Sequence, residues 1–387
     1  MNPLITIENN TKAIIGAGAI DKLGEECRAL GGTRALLVMD RGLSETELFP
    51  RIVATLRKSR VRSIPYLETT PEPSPVLADN GAELAKKEKA NCVIAVGGGS
   101  TMDVGKAISV LVKNQGKTED YIGLGLVKKP GLPTIMVPTT AGTGSEVTFT
   151  SVFTMRETKK KGGINSPFLF PRTAILDPEL TLDLPAEVTA QTGMDALTHA
   201  IESFTSLQAH FVSEPLSLKA IELISANLRG AVFEGHSYPF RENMMKASYL
   251  AGLGLAMSGV GAVHALAYPL GAMFDVPHGL ANAVMLPYVL EYNFPSKIEK
   301  FSQISLAMQK HADQRPSREA ALLAVKAVAE LSRDVGIPCS LKEIGIPESA
   351  IPEMAKSAMK VSRPIENNPR PMTVNIAEEI YRTAFEG

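Results

Sequence analysis

The sequence predicts two units of different class: an α/β half built on a mostly parallel sheet, then an all-helical half. Three observations carry this reading. Short apolar runs alternate with helical patterns as far as Asp177. The clearest buried strand, Cys92-Val93-Ile94-Ala95-Val96, runs directly into Gly97-Gly98-Gly99-Ser100 and then a helix. After Pro185 the strand signals stop and long helical patterns take over. The junction is expected at Leu184-Pro185, which gives units 1–184 and 185–387.

Taken in order, Arg34-Ala35-Leu36-Leu37-Val38-Met39-Asp40 is an apolar run ending in an acid and reads as a strand. Ser63-Ile64-Pro65-Tyr66 is a weaker strand, because proline removes a ladder donor. Residues 76–89 carry Val76, Leu77, Ala82 and Leu84 in a helical pattern. The buried strand at 92–96 leads to a helix over 101–112. Thr134-Ile135-Met136-Val137-Pro138 is a further strand, followed by the polar stretch Thr139-Thr140-Ala141-Gly142-Thr143-Gly144-Ser145-Glu146. From Val147 the pattern alternates through Phe149, Ser151, Phe153 and Met155. It then turns through Lys159-Lys160-Lys161-Gly162-Gly163, as a hairpin would. Thr173-Ala174-Ile175-Leu176-Asp177, closed by Pro178, is the last strand. Helices are expected over 189–204, 214–228, 241–257, 263–273, 279–292 and 318–335. Right-handed crossovers put the ligand crevice at the carboxyl ends of the strands.

Composition narrows the function classes. A hydrophobic content of 44% supports a large core, and a net charge of −1 gives no pull toward nucleic acid or an anionic membrane. Cys27, Cys92 and Cys339 are far apart and odd in number, so they read as buried thiols of a reducing compartment. There is no basic segment leading into an apolar core at the N-terminus, and no apolar run long enough to span a bilayer. The expectation is a soluble, cytoplasmic protein without a membrane or nucleic-acid partner.

Strand, glycines, helix is a geometry for holding a diphosphate. Glycine lets the backbone approach phosphate oxygens, and the N–H groups of the helix start point at the charge. Gly97-Gly98-Gly99-Ser100 is not the G-x-G-x-x-G fingerprint, and the candidate ribose-binding acid, Asp40, lies upstream of it. If Asp40 faces the ribose, its charge disfavours a 2′-phosphate and so favours NAD over NADP; otherwise it is a strand-end turn residue. Asp103 and Lys106 either orient the loop or simply pair with each other. Thr139, Thr140 and Thr143 offer hydroxyls to a cofactor or belong to an ordinary polar loop.

In the helix over 189–204, Asp195, His199 and Glu202 share one face, with Met194, Leu197, Ile201 and Phe204 on the other. Asp and His at i and i+4 can grip one ion, although an isolated pair of this kind is more often a surface pair. His210, His236 and His311 stand in polar or turn-like surroundings and read as surface residues. His264 lies in a small-residue, almost uncharged stretch, where a buried imidazole needs a partner. His278 follows Pro277 and precedes Gly279. With Asp195 and His199 these two would make one carboxylate and three imidazoles, suited to Fe²⁺ or Zn²⁺. The alternative for each is a core histidine satisfied by a backbone carbonyl.

Over nearly its whole length the chain resembles the iron-dependent (group III) alcohol dehydrogenases. The resemblance is carried by Gly97-Gly98-Gly99-Ser100 with Asp103 and Lys106, by residues 139–146, and by Asp177-Pro178. It continues through Gly193-Met194-Asp195-Ala196-Leu197-Thr198-His199-Ala200-Ile201-Glu202 and from His264 through Pro277-His278-Gly279 to Asn282. It implies a Rossmann-like dinucleotide-binding α/β domain, an all-α metal-binding domain, and a cleft where a nicotinamide meets the metal. It implies Asp195, His199, His264 and His278 as ligands of one divalent ion, Fe²⁺ ahead of Zn²⁺. It also implies cofactor contacts at Asp40, Gly98, Gly99, Ser100, Thr139, Thr140, Thr143 and Lys161, with Gly97 part of the same loop, and a homodimer paired through N-terminal strands. Two positions depart from the family pattern: Tyr268 stands where a relay histidine is usual, and Glu72 where asparagine is common. A phenol is the poorer relay at neutral pH, so Tyr268 either relays protons or only shapes the pocket.

The expected reaction is hydride transfer between NAD(H) and a small primary alcohol or aldehyde, with an anionic tail on the substrate a further option. Phe149, Thr150, Phe153 and Leu253 are candidate pocket walls. Residues 363–370 are expected to close one side of the cleft, with Arg363 or Arg370 available to an anion. Two alternatives stay open here: an NAD- and metal-using lyase resembling dehydroquinate synthase, and a non-catalytic NAD-binding regulator.

Overall fold

The computed structural model describes residues 4–158, 160–310 and 317–387. Three sequence-based readings therefore lie outside the described residues: the turn residue Lys159, the surface reading of His311, and the first three residues of the N-terminus.

The α/β part contains β1 (Lys12–Ile15), β2 (Arg34–Asp40), β3 (Arg62–Thr69), β4 (Cys92–Gly97), β5 (Gly123–Leu124), β6 (Thr134–Pro138), β7 (Thr150–Met155), β8 (Lys160–Asn165) and β9 (Thr173–Leu176). Six of them form a parallel sheet in the order β1-β9-β6-β4-β2-β3. β4 and β6 are buried at every residue, which is why they read as unbroken apolar runs. Side chains alternate across the sheet. Leu36, Val38, Val93, Ala95 and Met136 enter one core, and Leu37, Met39, Ile94, Val96 and Val137 the other. From β2 the chain crosses to β3 on one side and returns to β4 on the other. The connections diverge there, so a crevice opens at the carboxyl ends of β2 and β4.

β7 and β8 form the expected antiparallel hairpin, with Thr150 opposite Asn165, and β5 adds to β8 in parallel. β3 runs eight residues despite Pro65, because it is the edge strand, where proline is tolerated. Sequence patterns passed over the helices Leu23–Ala29, Leu48–Lys58 and Ile298–Ala307, as well as Val374–Glu386 near the C-terminus.

β9 is followed by a turn at Pro178–Thr181, and helix Ala186–Thr205 opens the helical part. Its long helices are Ser213–Phe233, Tyr238–Ser258, Ala262–Phe274, His278–Asn293 and Arg318–Asp334, gathered around one large apolar core. Buried Arg241 pins the junction: Nη1 donates to Thr189 Oγ1 at 2.7 Å and Nη2 to the Leu184 carbonyl at 3.0 Å. Among the described residues no single helix is long and apolar enough to cross a membrane.

Two expectations are corrected. Cys339 is exposed, because it lies in irregular chain running over the surface after helix Arg318–Asp334; Cys27 and Cys92 are buried and free. His210 is buried, not superficial. Its Nδ1 accepts from the N–H groups of Val212 (3.3 Å) and Ser213 (3.4 Å), so it caps the next helix from within the turn. His236 is exposed as expected.

Candidate active site

A cavity of about 1040 Å³ opens between the α/β and helical parts. On its α/β side, Gly99, Ser100, Asp103 and Thr143 line the wall. Gly97 ends β4 and Gly98 precedes helix Gly99–Leu111, so the helix N–H groups face the crevice. The glycines are demanded by packing. A methyl on Gly97 would lie 2.7 Å from Thr101 Oγ1, and one on Gly99 2.7 Å from Thr143 Cγ2. Thr139 donates its N–H to the Gly97 carbonyl at 3.0 Å, and Thr140 sits beside Gly98, so both stand behind the cavity wall. Asp40 ends β2, and its Oδ1 accepts the Leu43 N–H at 2.8 Å, capping a short helical turn outside the cavity lining.

Asp103 and Lys106 both pair and orient. Their charges are 3.3 Å apart, and Lys106, wholly buried, donates to the Ser145 carbonyl at 3.0 Å and to that of Thr150. Asp103 receives Ser145 Oγ at 2.6 Å and the Val152 N–H at 2.8 Å. Together they lock the loop after β6 to the start of the hairpin. Lys161, on β8, lines the cavity paired with Glu72, which Thr154 also contacts at 3.0 Å.

On the helical side, Asp195, His199, His264 and His278 converge. One ligand atom from each lies within 4.8 Å of all the others. Asp195 Oδ1 is 3.9 Å from both His199 Nε2 and His278 Nε2. Hydrogen bonds choose the tautomers. His264 Nδ1–H donates to Glu202 Oε2 at 2.6 Å, and His199 Nδ1–H to the Gly142 carbonyl at 3.3 Å, so each Nε2 lone pair faces the cluster. Burial holds His199 and His278 below the ordinary imidazole pKa, with the Asp195 carboxylate opposing the shift, which keeps them neutral donors. The donor set fits a divalent ion.

Tyr268 lines the same cavity, its ring centroid 6.1 Å from that of His278. Burial, with the carboxylates of Glu202, Asp103 and Asp195, pushes its phenol up to about 12. Phe149 and Thr150 line the cavity as expected, but Phe153 packs into the sheet core and Leu253 against Val147 and Met245. Leu255 and Ala256 of that helix line the cavity instead. Arg363, Pro364 and Asn367 close one side. Arg370 does not: its guanidinium stacks 4.1 Å from the Tyr292 ring and donates to the Tyr292 carbonyl at 2.8 Å.

Sequence reading missed the Gly142 carbonyl, a backbone group without a side-chain signal. It also gave no role to Asn282, although Asn282 stands one turn after His278 on the same helix face, where the spacing could have drawn attention.

A glycine-bearing strand–helix junction faces a carboxylate–imidazole cluster across one cleft, a layout suited to an enzyme that uses a dinucleotide and a metal ion. Family models agree in both halves: residues 10–178 match the iron-containing alcohol dehydrogenase model, and residues 189–385 match the C-terminal model of the Fe-containing alcohol dehydrogenase family. The chain is 41% identical over 372 residues to 1,3-propanediol dehydrogenase of Citrobacter freundii, covering 96% of both. To lactaldehyde reductase of Escherichia coli (strain K12) it is 35% identical over 378 residues, covering 97% of this chain and 98% of that one. A crystal structure of 1,3-propanediol oxidoreductase superposes with a TM-score of 0.96 at 38% identity, covering 99% of this chain and all of that one. The chain belongs to the iron-containing alcohol dehydrogenase family. It is an alcohol/aldehyde oxidoreductase, and the lyase and non-catalytic alternatives are not favoured.

Proposed function

We propose that the protein interconverts small primary alcohols and aldehydes at a cation held by Asp195, His199, His264 and His278, Fe²⁺ ahead of Zn²⁺. One observation carries the reading: these four side chains converge in the wall of the cavity that Gly99, Ser100 and Thr143 line. When bound, the cation supplies Lewis acidity at the substrate oxygen and the nicotinamide supplies or accepts the hydride. Gly97, Gly98, Gly99 and Ser100 hold the diphosphate at the helix start. Thr139, Thr140 and Thr143 would support that loop, and Lys161, which lines the same cavity, would contact the cofactor. Asp40, its Oδ1 used as a cap, offers Oδ2 to a ribose hydroxyl, which selects NAD.

Glu202 and Gly142 keep His264 and His199 turned toward the ion. Leu255, Val260, Pro269 and Met273 exclude water around the reacting carbon. Tyr268 shapes the pocket and offers a neutral hydroxyl. Arg363, in the cavity wall, recognises an anionic tail on the substrate. We further infer units 1–184 and 185–387, an assignment supported by the change from strands to helices between Leu176 and Ala186. A homodimer through the edge strand β1 is supported by exposed Leu4, Ile5, Ile7 and Ile15. A cytoplasmic setting suits the free thiols, and near-neutral charge suits a small-molecule enzyme without nucleic-acid or membrane partners.

The test is an aldehyde panel with NADH on protein reconstituted separately with Fe²⁺ and Zn²⁺, with anionic aldehydes included. His264→Ala is expected to lose both metal content and aldehyde reduction; retention of both overturns the ligand assignment. Arg363→Ala should raise KM for anionic aldehydes alone, and an equal change for neutral ones removes its recognition role.

A further inference from the structure

Glu72 and Lys161 face the cavity as a charge pair, with 16% and 3% of their side chains exposed. Glu72 lies in the turn between β3 and helix Pro75–Lys87 with φ +50°, a left-handed conformation uncommon outside glycine. Thr154 pins it there, donating its N–H to the Pro73 carbonyl at 2.9 Å and its hydroxyl to Glu72 Oε2 at 3.0 Å. Thr154 and Lys161 are cross-strand partners on β7 and β8, so the carboxylate meets both at one point of the hairpin. A methyl on Gly271 would lie 2.5 Å from Lys161 Nζ, so the ammonium occupies the room this glycine leaves on helix Ala262–Phe274. A non-glycine residue held left-handed in a cavity wall is the kind of strain that functional sites retain.

The pair leaves hydrogen-bonding capacity unused on both sides. Lys161 Nζ carries three N–H hydrogens, and Glu72 is its only partner among the described residues. Glu72 Oε2 accepts from Lys161 and Thr154, while Oε1 has no partner among the described residues. Burial opposes the Glu72 charge, but Lys161, with His278 and Thr154, outweighs it and holds the carboxyl below its usual pKa. Both charges are close enough to His278 to act on it, which places the pair beside the ligand cluster. Free N–H donors next to a free carboxylate oxygen suit one ligand group above others. A hydroxyl both donates and accepts, so it satisfies the two together. An anion satisfies the ammonium alone and is repelled by Glu72, and a methylene leaves both unpaired.

We propose that Glu72 and Lys161 form a hydroxyl-recognition subsite in the cavity, in which Glu72 is the acceptor and the group that rejects anions at that point. The hydroxyl has two sources: the second ribose of the dinucleotide, or a hydroxyl on the substrate's own carbon chain. The subsite rests on the reading of this cleft as an NAD-linked alcohol/aldehyde site. The glutamate is this chain's own contribution, since it stands where asparagine is common in the family it resembles. A neutral amide there would leave the ammonium open to anions.

The experiment compares wild type with Glu72→Leu and Glu72→Gln, all loaded with metal. Binding of NADH and of ADP, which lacks the second ribose, is titrated. KM is measured for 3-hydroxypropanal and propanal, and inorganic phosphate serves as the probe anion. Glu72→Leu should weaken NADH about tenfold with ADP unchanged if the ribose is read. It should instead raise KM about tenfold for 3-hydroxypropanal alone if the substrate hydroxyl is read. Glu72→Gln keeps an acceptor and drops the charge, so it should bind hydroxyl ligands much as wild type does while phosphate inhibits about tenfold more strongly. Unchanged NADH affinity together with an unchanged KM ratio in Glu72→Leu overturns the proposal. Equal losses for ADP and NADH, or for propanal and 3-hydroxypropanal, overturn it as well. If the leucine variant does not fold, Glu72→Gln decides alone, and no gain in phosphate inhibition overturns the proposal. Failure of the underlying reading is distinguishable, since wild type would then bind no NADH and reduce neither aldehyde.

Discussion

At His264 the 2.6 Å bond from Nδ1 to Glu202 decides which ring nitrogen keeps its lone pair, and that choice makes the residue a candidate ligand. Glu202 also accepts the Val263 N–H at 2.6 Å, so a single carboxylate holds both the ring and the start of its helix. Tyr268 shows the opposite outcome of burial. With its phenol at about 12, it stays protonated at every pH where the enzyme is expected to work. Because the shift is upward, the neutral form persists as pH rises and ionises only in strong alkali. Tyr268→Phe should therefore leave the shape of the kcat–pH profile unchanged from about pH 6 to 10. A titration lost from that window would restore the phenol as a relay. Tyr268→His should add a titration near neutrality and raise turnover where proton relay limits it. No change would leave Tyr268 with shape alone.

At the scale of elements, the loop joining β6 to β7 does the work of assembly. Gly142 gives its carbonyl to His199 and packs against Thr192, Thr143 packs on Gly99, and Gly144 meets helix Tyr238–Ser258 backbone to backbone. Gly144 has φ +61°, and a methyl there would lie 2.5 Å from the Gly252 Cα. Gly144→Ala combines backbone strain with an overlap that no rotamer relieves. It should cost roughly 2 kcal/mol or more in urea unfolding and lower metal retention as well. A variant as stable as wild type would refute the close approach. The motif 139–146 was visible in sequence as polar and glycine-bearing. Its contacts were not, because they are made by backbone atoms and by helices some fifty and a hundred residues later.

Across the whole molecule, the candidate ligands come from three helices, Ala186–Thr205, Ala262–Phe274 and His278–Asn293. A bound cation then cross-links the helical core. At free metal near 100 times Kd it should add about 2.7 kcal/mol. Chelation should accordingly lower Tm by roughly 3 °C for a chain of this length, read by calorimetry. A melting curve indifferent to chelator would mean that the four groups do not share an ion. Much of this architecture was legible beforehand. Fully buried β4 and β6 announce themselves as apolar runs, and Ala186–Thr205 as an amphipathic helix with Asp195 and His199 one turn apart. The failures have physical causes. Leu48–Lys58 and Val374–Glu386 are strongly amphipathic but lack neighbouring landmarks. Phe153 and Leu253 face cores, not the cavity, because a hydrophobic residue does not declare which apolar surface it will meet.

The sequence by itself determined the class of the fold, the glycine junction and the identity of the candidate ligands, because periodicity, turn chemistry and donor type are local properties of the chain. Only the tertiary structure decided that His264 and His278 stand with Asp195 and His199, which tautomers they hold, and that Arg363 and not Arg370 reaches the cavity. It also decided that the Asn282 amide enters the cluster, with Nδ2 2.7 Å from Asp195 Oδ1 and Oδ1 without a hydrogen-bond partner among the described residues. Those outcomes depend on distances between residues up to about a hundred positions apart, which helix packing sets and linear order does not encode.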